Sequence, residues 1–249
     1  MSLLKVKGLK SGYRGVAVIR NVSLSVEPGE IAVLLGSNGA GKTTTLLTIS
    51  GLLEAISGDV RLDGESLIGR RPENIARAGL IHVPEDRSLF RTLTVAENIR
   101  MGARSKADIE RVLDYFPVLK PLLTRSASVL SGGEQQMLAL ARGLAARPKV
   151  LLVDEMSLGL APMIVQRILP VLRQIVTDTG CAAVLVEQHV HLALGIADRA
   201  YVMARGRIVK QGTAAEVRAS VDEITGSYLA AAPSERRSEV SSLPPAAVR

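Results

Sequence analysis

One glycine-rich turn and one pair of carboxylates carry the chemistry that can be read directly from this chain. The turn is Gly36-Ser37-Asn38-Gly39-Ala40-Gly41-Lys42-Thr43, with the spacing Gly-x4-Gly-Lys-Thr. Its glycines let the backbone curl around a polyphosphate, and successive N–H groups and a helix N-terminus point at negative charge. Lys42 is expected to reach the outer phosphates and the Thr43 hydroxyl to coordinate Mg²⁺. Gly36, Ser37, Asn38, Gly39, Ala40, Gly41, Lys42, Thr43 and Thr44 are therefore the expected phosphate-binding residues. The acidic pair closes Val150-Leu151-Leu152-Val153-Asp154-Glu155. Four apolar residues followed by two acids place both carboxylates at the C-terminal edge of a buried strand, where open parallel sheets hold their ligands. Asp154 is expected to hold Mg²⁺, directly or through water. Glu155 is then placed to accept a proton from an attacking water.

The elements that must position these groups are legible on either side. Ile31-Ala32-Val33-Leu34-Leu35 reads as a strand buried on both faces, and Thr44 to Ser50 as a helix. Strand, loop, helix is the context that makes the glycine pattern a phosphate loop. Residues 3–10, 17–27 and 58–63 read as short, mostly antiparallel strands joined at Gly12, Gly15, Pro28-Gly29 and Asp63-Gly64. Leu80 to Val83 is a further buried strand, ended by Pro84. From about 86 to 149 the pattern turns helical. Ile109, Val112, Leu113 and Phe116 recur at helical spacing after Ser105 and Asp108, and Met137, Leu140, Ala141 and Leu144 form a second apolar face. Alternation then resumes: strand at Val150, helix from Pro162 with Pro170 inside it, strand from Cys181, helix after His189, and a hairpin around Gly206. Repeated strand-helix units imply a parallel sheet covered on both faces.

Composition narrows the setting. Apolar residues make up 47 % and aromatics 2 % of the 249 residues, so the core is built from Leu, Val, Ile and Ala. The one cysteine, Cys181, rules out an intramolecular disulfide framework and reads as a small buried residue. The N-terminal stretch lacks the apolar centre of a signal peptide, and no apolar run is long enough to span a bilayer. A soluble, cytoplasmic protein is expected. The formal charge of +7 comes from 31 Lys and Arg scattered singly against 24 Asp and Glu. Scattered charge of this kind gives no reason to expect a nucleic-acid partner.

A third motif narrows the class. Leu130-Ser131-Gly132-Gly133-Glu134-Gln135-Gln136 directly precedes the Met137 helix. Ser131 and Glu134 have the spacing of a capping box, and a glycine-flanked helix start is also a site for a γ-phosphate. The stretch resembles the signature sequence of the ATP-binding-cassette (ABC) ATPases, and it lies, as theirs does, between the phosphate loop and the acidic strand. The resemblance runs from Leu3 to about Leu229. It implies an α/β fold: a P-loop NTPase core with a mostly parallel sheet, an N-terminal antiparallel β subdomain and an inserted helical subdomain at about 86–149. One ABC ATPase domain over 1–230 and a disordered tail over 231–249 follow. ATP and Mg²⁺ are the implied ligands. Tyr13 matches the aromatic that stacks on adenine, and His189 the switch histidine that contacts the γ-phosphate. Ser131, Gly132, Gly133 and Glu134 match the signature that a second subunit presents to the nucleotide.

Three positions depart from the family pattern. Its usual loop glutamine is Glu85 here, a carboxylate that can still face Mg²⁺. Asp154-Glu155 is followed by Met156 rather than proline, so the turn is less restrained. Ser157-Leu158-Gly159-Leu160-Ala161 lacks the terminal aspartate. Val83-Pro84-Glu85-Asp86-Arg87, Ser157-Leu158-Gly159-Leu160-Ala161-Pro162 and Leu185-Val186-Glu187-Gln188 look like the ATPase subunits of branched-chain amino-acid importers. That likeness implies transmembrane permease subunits as partners, with Arg87, Leu89 and Phe90 near the docking loop. It also implies a second ATPase subunit, identical or related, an indirect link to a periplasmic binding protein, and a peripheral place on the cytoplasmic face of the inner membrane. Two other readings stay open: a soluble ABC ATPase unconnected to transport, and a low-turnover regulatory subunit. The cargo is not written in the chain, because such subunits touch nucleotide and permease rather than cargo.

Overall fold

A computed structural model describes residues 3–220 of the chain. The tail expected to be disordered lies outside the described residues. Strands β1 (Leu4–Tyr13) and β2 (Val16–Val26) pair antiparallel across the Arg14-Gly15 turn, and β3 (Ile31–Leu35) leads into α1 (Lys42–Ile49). Next come β4 (Ala55–Leu62), β5 (Glu65–Ser66), α2 (Pro72–Ala78) and β6 (Leu80–Val83). Helices α3 (Val95–Gly102), α4 (Lys106–Tyr115) and α5 (Gly132–Ala145) follow, the last two separated by short 3-10 turns. The remaining chain is β7 (Val150–Asp154), α6 (Pro162–Thr179), β8 (Ala182–Glu187), α7 (Val190–Ile196), β9 (Arg199–Ala204), β10 (Arg207–Thr213) and α8 (Ala214–Ala219).

Two sheets result. The antiparallel one has the order β2-β1-β4-β5, and the larger one the order β10-β9-β3-β8-β7-β6. In the larger sheet β6, β7, β8, β3 and β9 run parallel, and β10 closes the edge antiparallel to β9. The sheet explains the unbroken apolar runs. In β7, Val150 and Leu152 pack with α1 and the antiparallel sheet, whereas Leu151 and Val153 pack with α5 and α6. Strands buried on both faces have no polar side to alternate with. A third cluster, with Val33 and Leu35, sits under α7 and α8.

Local details refine the sequence reading. The antiparallel strands are longer than expected, reaching Tyr13, because the hairpin pairs to its tip. Ser105 caps α4, its hydroxyl accepting from Asp108 N; Asp108 is in the first turn rather than at the cap. Helix α5 is buried nearly all round, not on one face, because it lies between the sheet and α3. Leu138, Ala139, Leu140, Ala141 and Ala145 are all inaccessible, and a Cβ on Gly143 would meet Val83 Cγ2 at 3.0 Å. Pro170 sits on the exposed side of α6, where water can take the backbone acceptor that a proline leaves unpaired. Among the described residues no helix is long and apolar enough to cross a membrane.

Candidate nucleotide site

Strand β3 ends at Leu35, and the chain turns through Gly36, Ser37, Asn38, Gly39 and Ala40 before α1 begins. Gly41 caps the helix at φ +104, a conformation that side chains rarely adopt, and a Cβ there would meet Ile19 Cγ2 at 2.8 Å. Lys42 and Thr43 already belong to the helix, which therefore starts two residues earlier than its apolar pattern suggests. The loop is tied by Ala40 N donating to Ser37 O (3.1 Å) and by Gly206 N donating to Ala40 O (2.9 Å). Ser37, Asn38 and Gly39 remain open to solvent.

The buried Lys42 ammonium folds back over this loop. Its Nζ donates to Gly36 O at 2.9 Å and Ser37 O at 3.2 Å, and lies 3.3 Å from Glu155 Oε1. The glycine turn and the acidic strand end therefore meet, across more than a hundred residues of sequence. Asp154 beside them is 2 % exposed, and its Oδ1 is buried with no hydrogen-bond partner. Burial pushes its pKa up to about 6; the Thr43 side chain and Lys42 pull it down, and the charges of Glu155 and Glu85 push it further up. A buried, unpartnered carboxylate oxygen next to a threonine hydroxyl is what a hard cation satisfies. Among the described residues no group of three or more His, Cys, Asp or Glu side chains is arranged to hold a metal. Mg²⁺ takes one or two carboxylates and completes its shell with phosphate and water. Thr43 and Asp154 fit that role, while Glu85 is exposed and its charge acts on Asp154.

Glu155 adopts φ +42, in the left-handed region, and its N–H donates to Val186 O at 3.0 Å. Its Oε2 accepts from Gln188 Nε2 at 2.6 Å. Glu187 accepts from Ser157 N at 3.1 Å and from Ser157 Oγ at 2.5 Å. Neither Glu187 nor Gln188 was assignable from sequence. The available signal was a carboxylate ending an otherwise apolar strand, which must find a partner. His189 follows them, exposed, as the cap of α7. Since Glu187 pairs with Leu35, His189 and the phosphate loop leave the sheet at the same edge.

The other site residues lie apart. Tyr13 is 48 % exposed at the hairpin tip, its ring free to meet a flat ligand. Ser131 caps α5 through a closed capping box, with Ser131 N donating to Glu134 Oε2 at 2.8 Å and Glu134 N to Ser131 Oγ at 3.4 Å. Gly132 and Gly133 are in the first turn rather than before the helix. A Cβ on Gly133 would meet Ile164 Cγ2 at 2.8 Å, so close packing on α6 accounts for that glycine. Among the described residues no hydrogen bond or ion pair joins Ser131, Gly132, Gly133 or Glu134 to the phosphate loop. Cys181 is buried and its thiol pKa is pushed up to about 12 by burial, as expected of a packing residue.

The family model for the ABC transporter matches residues 19–157, phosphate loop through acidic strand. This chain belongs to the ABC transporter family. It is one of the family's ATPases and binds ATP. BraG of Pseudomonas aeruginosa, a high-affinity branched-chain amino acid transport ATP-binding protein, is 44 % identical over 219 residues, 86 % of this chain and 94 % of BraG. A probable branched-chain amino acid transport ATP-binding protein LivF of Archaeoglobus fulgidus is 34 % identical over 221 residues, covering 86 % and 94 %. A solved ATP-binding subunit of an ABC transporter superposes with a TM-score of 0.78 at 29 % identity, covering 89 % of this chain and 94 % of that one.

Proposed function

We propose that this ABC ATPase powers an importer of branched-chain or related amino acids, docked on the cytoplasmic side of the permease subunits. The similarity to BraG and LivF supports the cargo, and the meeting of Lys42 with Glu155 beside the unpartnered Asp154 oxygen supports the site. In this reading Lys42 and the N–H groups of the glycine loop hold the β- and γ-phosphates, and Tyr13 stacks on adenine. Thr43 and Asp154 hold Mg²⁺, which when bound neutralises phosphate charge. Glu155 takes the proton of the water that attacks the γ-phosphorus as the bond to the β-phosphate oxygen breaks. His189 contacts the γ-phosphate. The three N–H donors of Lys42 already face Gly36 O, Ser37 O and Glu155, so at least one of these contacts must give way to the incoming phosphate.

Among the described residues Ser131 and Gly132 make no hydrogen bond to their own phosphate loop, and in this reading they serve the nucleotide of a second ATPase subunit. Splitting the donors makes hydrolysis conditional on closure, and loss of the γ-phosphate lets the pair open. A groove of about 570 Å³ lined by Phe90, Met101, Arg104, Ala139 and Arg142 is the surface for a permease helix. Of the three docking residues named from sequence, Phe90 is the exposed one, under the Arg142 guanidinium at 5.5 Å. Arg87 bonds instead to Gln136 (2.9 Å) and Gln135 (3.2 Å), linking the docking loop to the α5 start. The residues over about 86–149 act in this scheme as one helical subdomain.

Glu155→Gln tests the site. Turnover is expected to fall by roughly 100-fold or more, the scale of lost general-base catalysis, with ATP binding and dimerisation kept. An unchanged rate removes Glu155 from its role. Uptake of labelled leucine by membranes carrying the chain and its permease tests the cargo, and cargo-independent ATPase activity in that complex would count against it.

A further inference from the structure

Glu187 is a carboxylate where the strand has otherwise only apolar residues. It is 3 % exposed, and burial raises its pKa above the usual carboxylate range. A buried carboxylate is costly unless paired, so its partners reveal what it is for. Both oxygens are taken by one residue, Ser157, through N–H and hydroxyl. Ser157 is itself 5 % exposed and stands two residues beyond Glu155, whose left-handed φ needs the surrounding turn to hold it. Met156 occupies the intervening position, where a proline would have fixed φ. The next residue, Gln188, grips Glu155 Oε2 directly, and His189 follows at the same sheet edge. Beyond Ser157 the loop runs out to the exposed Leu158 and Gly159, and Leu160 approaches the α5 start, 3.3 Å from a Cβ on Gly132.

We propose that Glu187 is a positioning residue for hydrolysis: by clamping Ser157 it sets the turn that carries Glu155 and joins the His189 segment to the loop at 157–161. The clamp makes the three residues from Glu187 to His189 one rigid unit facing base and phosphate together. It lets a change at the γ-phosphate reach Leu158 and Leu160, beside the start of α5. The proposal rests on Glu155 being the base, so the test carries a separate arm for that assignment.

Glu187→Val suits the apolar strand and removes the buried charge but leaves the Ser157 N–H and hydroxyl without an acceptor, so the full-length chain is expected to fold and to melt a few degrees below the parent. Its kcat is expected to fall roughly ten- to a hundredfold, the scale of a misplaced catalytic group. ATP affinity by calorimetry should stay within about twofold, the pattern of an interaction needed only in the transition state. Glu187→Gln keeps both bonds with one reversed, its Nε2 donating to Ser157 Oγ, and should recover most of the lost rate. Ser157→Ala reads the same link if Glu187→Val fails to fold. The double variant should be no slower than the slower single. A parental kcat in both Glu187→Val and Ser157→Ala overturns the proposal, as does a parallel loss of kcat and ATP affinity. A Glu155→Gln protein that still turns over would sink the base assignment instead. A dead Glu155→Gln beside a fully active Glu187→Val would sink only the clamp.

Discussion

The sheet edge and the start of α5 both carry residues that we assign to nucleotide phosphates, yet they solve opposite problems. At the sheet edge, polar groups are buried and left short of partners: Asp154 Oδ1 has none, and Lys42 fills in with loop carbonyls and Glu155. At the α5 start the capping groups close on each other, Ser131 and Glu134 satisfying each other at the surface. The first region is, in the proposed reading, incomplete until a magnesium-nucleotide arrives. The second is a finished helix cap at the surface. An unsatisfied buried atom thus marks where a ligand must go, and a satisfied exposed motif marks a surface shown to something else.

The largest test of this contrast is Lys42→Ala. It strips the loop carbonyls of their donor and leaves the Glu155 carboxylate without its cation. Removing the cation assigned to the phosphates costs about 2–5 kcal/mol of the bound state, so ATP affinity in a calorimetric titration should drop roughly 100-fold or more. The capping box should be untouched. If affinity barely changes, the sheet edge is not the incomplete region.

Acid titration comes next, because the buried Asp154 and the partly buried His82 have opposing effects. Asp154 is raised from 3.8 to about 6, so the folded state holds the extra proton and stability falls as pH rises through that window. His82, in β6, is lowered from 6.5 to about 4 by burial, so the unfolded state holds the extra proton and stability rises with pH between those values. Each contribution is on the order of 3 kcal/mol. Asp154→Asn should therefore melt higher at neutral pH without nucleotide, gain stability from pH 4 to 6.5, and lose the Mg²⁺-dependent part of its ATP stabilisation. His82→Gln should show the reverse slope, its stability falling between pH 4 and 6. Identical slopes in both variants would show that these groups do not set the acid behaviour.

The smallest effect belongs to the self-satisfied region. Ser131→Ala opens the capping box and should cost about 1 kcal/mol of stability in denaturant melts. ATP affinity of the lone chain should stay put, while turnover of the closed pair should fall. A loss of affinity in the lone chain would mean that Ser131 serves its own phosphate loop, which erases the contrast.

Much of the chemistry was written locally. The phosphate loop, the acidic strand end, the Ser131–Glu134 box and the buried strands each occupy one short stretch, and their residue types have physical meaning within a few positions. Glycine geometry, capping distance and apolar runs need no distant partner to be read. Tertiary structure decided what those pieces face. Glu187 reaches Ser157 and Gln188 reaches Glu155 only because β7 and β8 pair in parallel with Asp154 beside Val186. The orphaned Asp154 oxygen, the wrapped α5 and the Arg87 link to Gln135 and Gln136 likewise arise between segments dozens of residues apart. Register between remote strands is set by packing of the whole core, and no single stretch of a sequence encodes it.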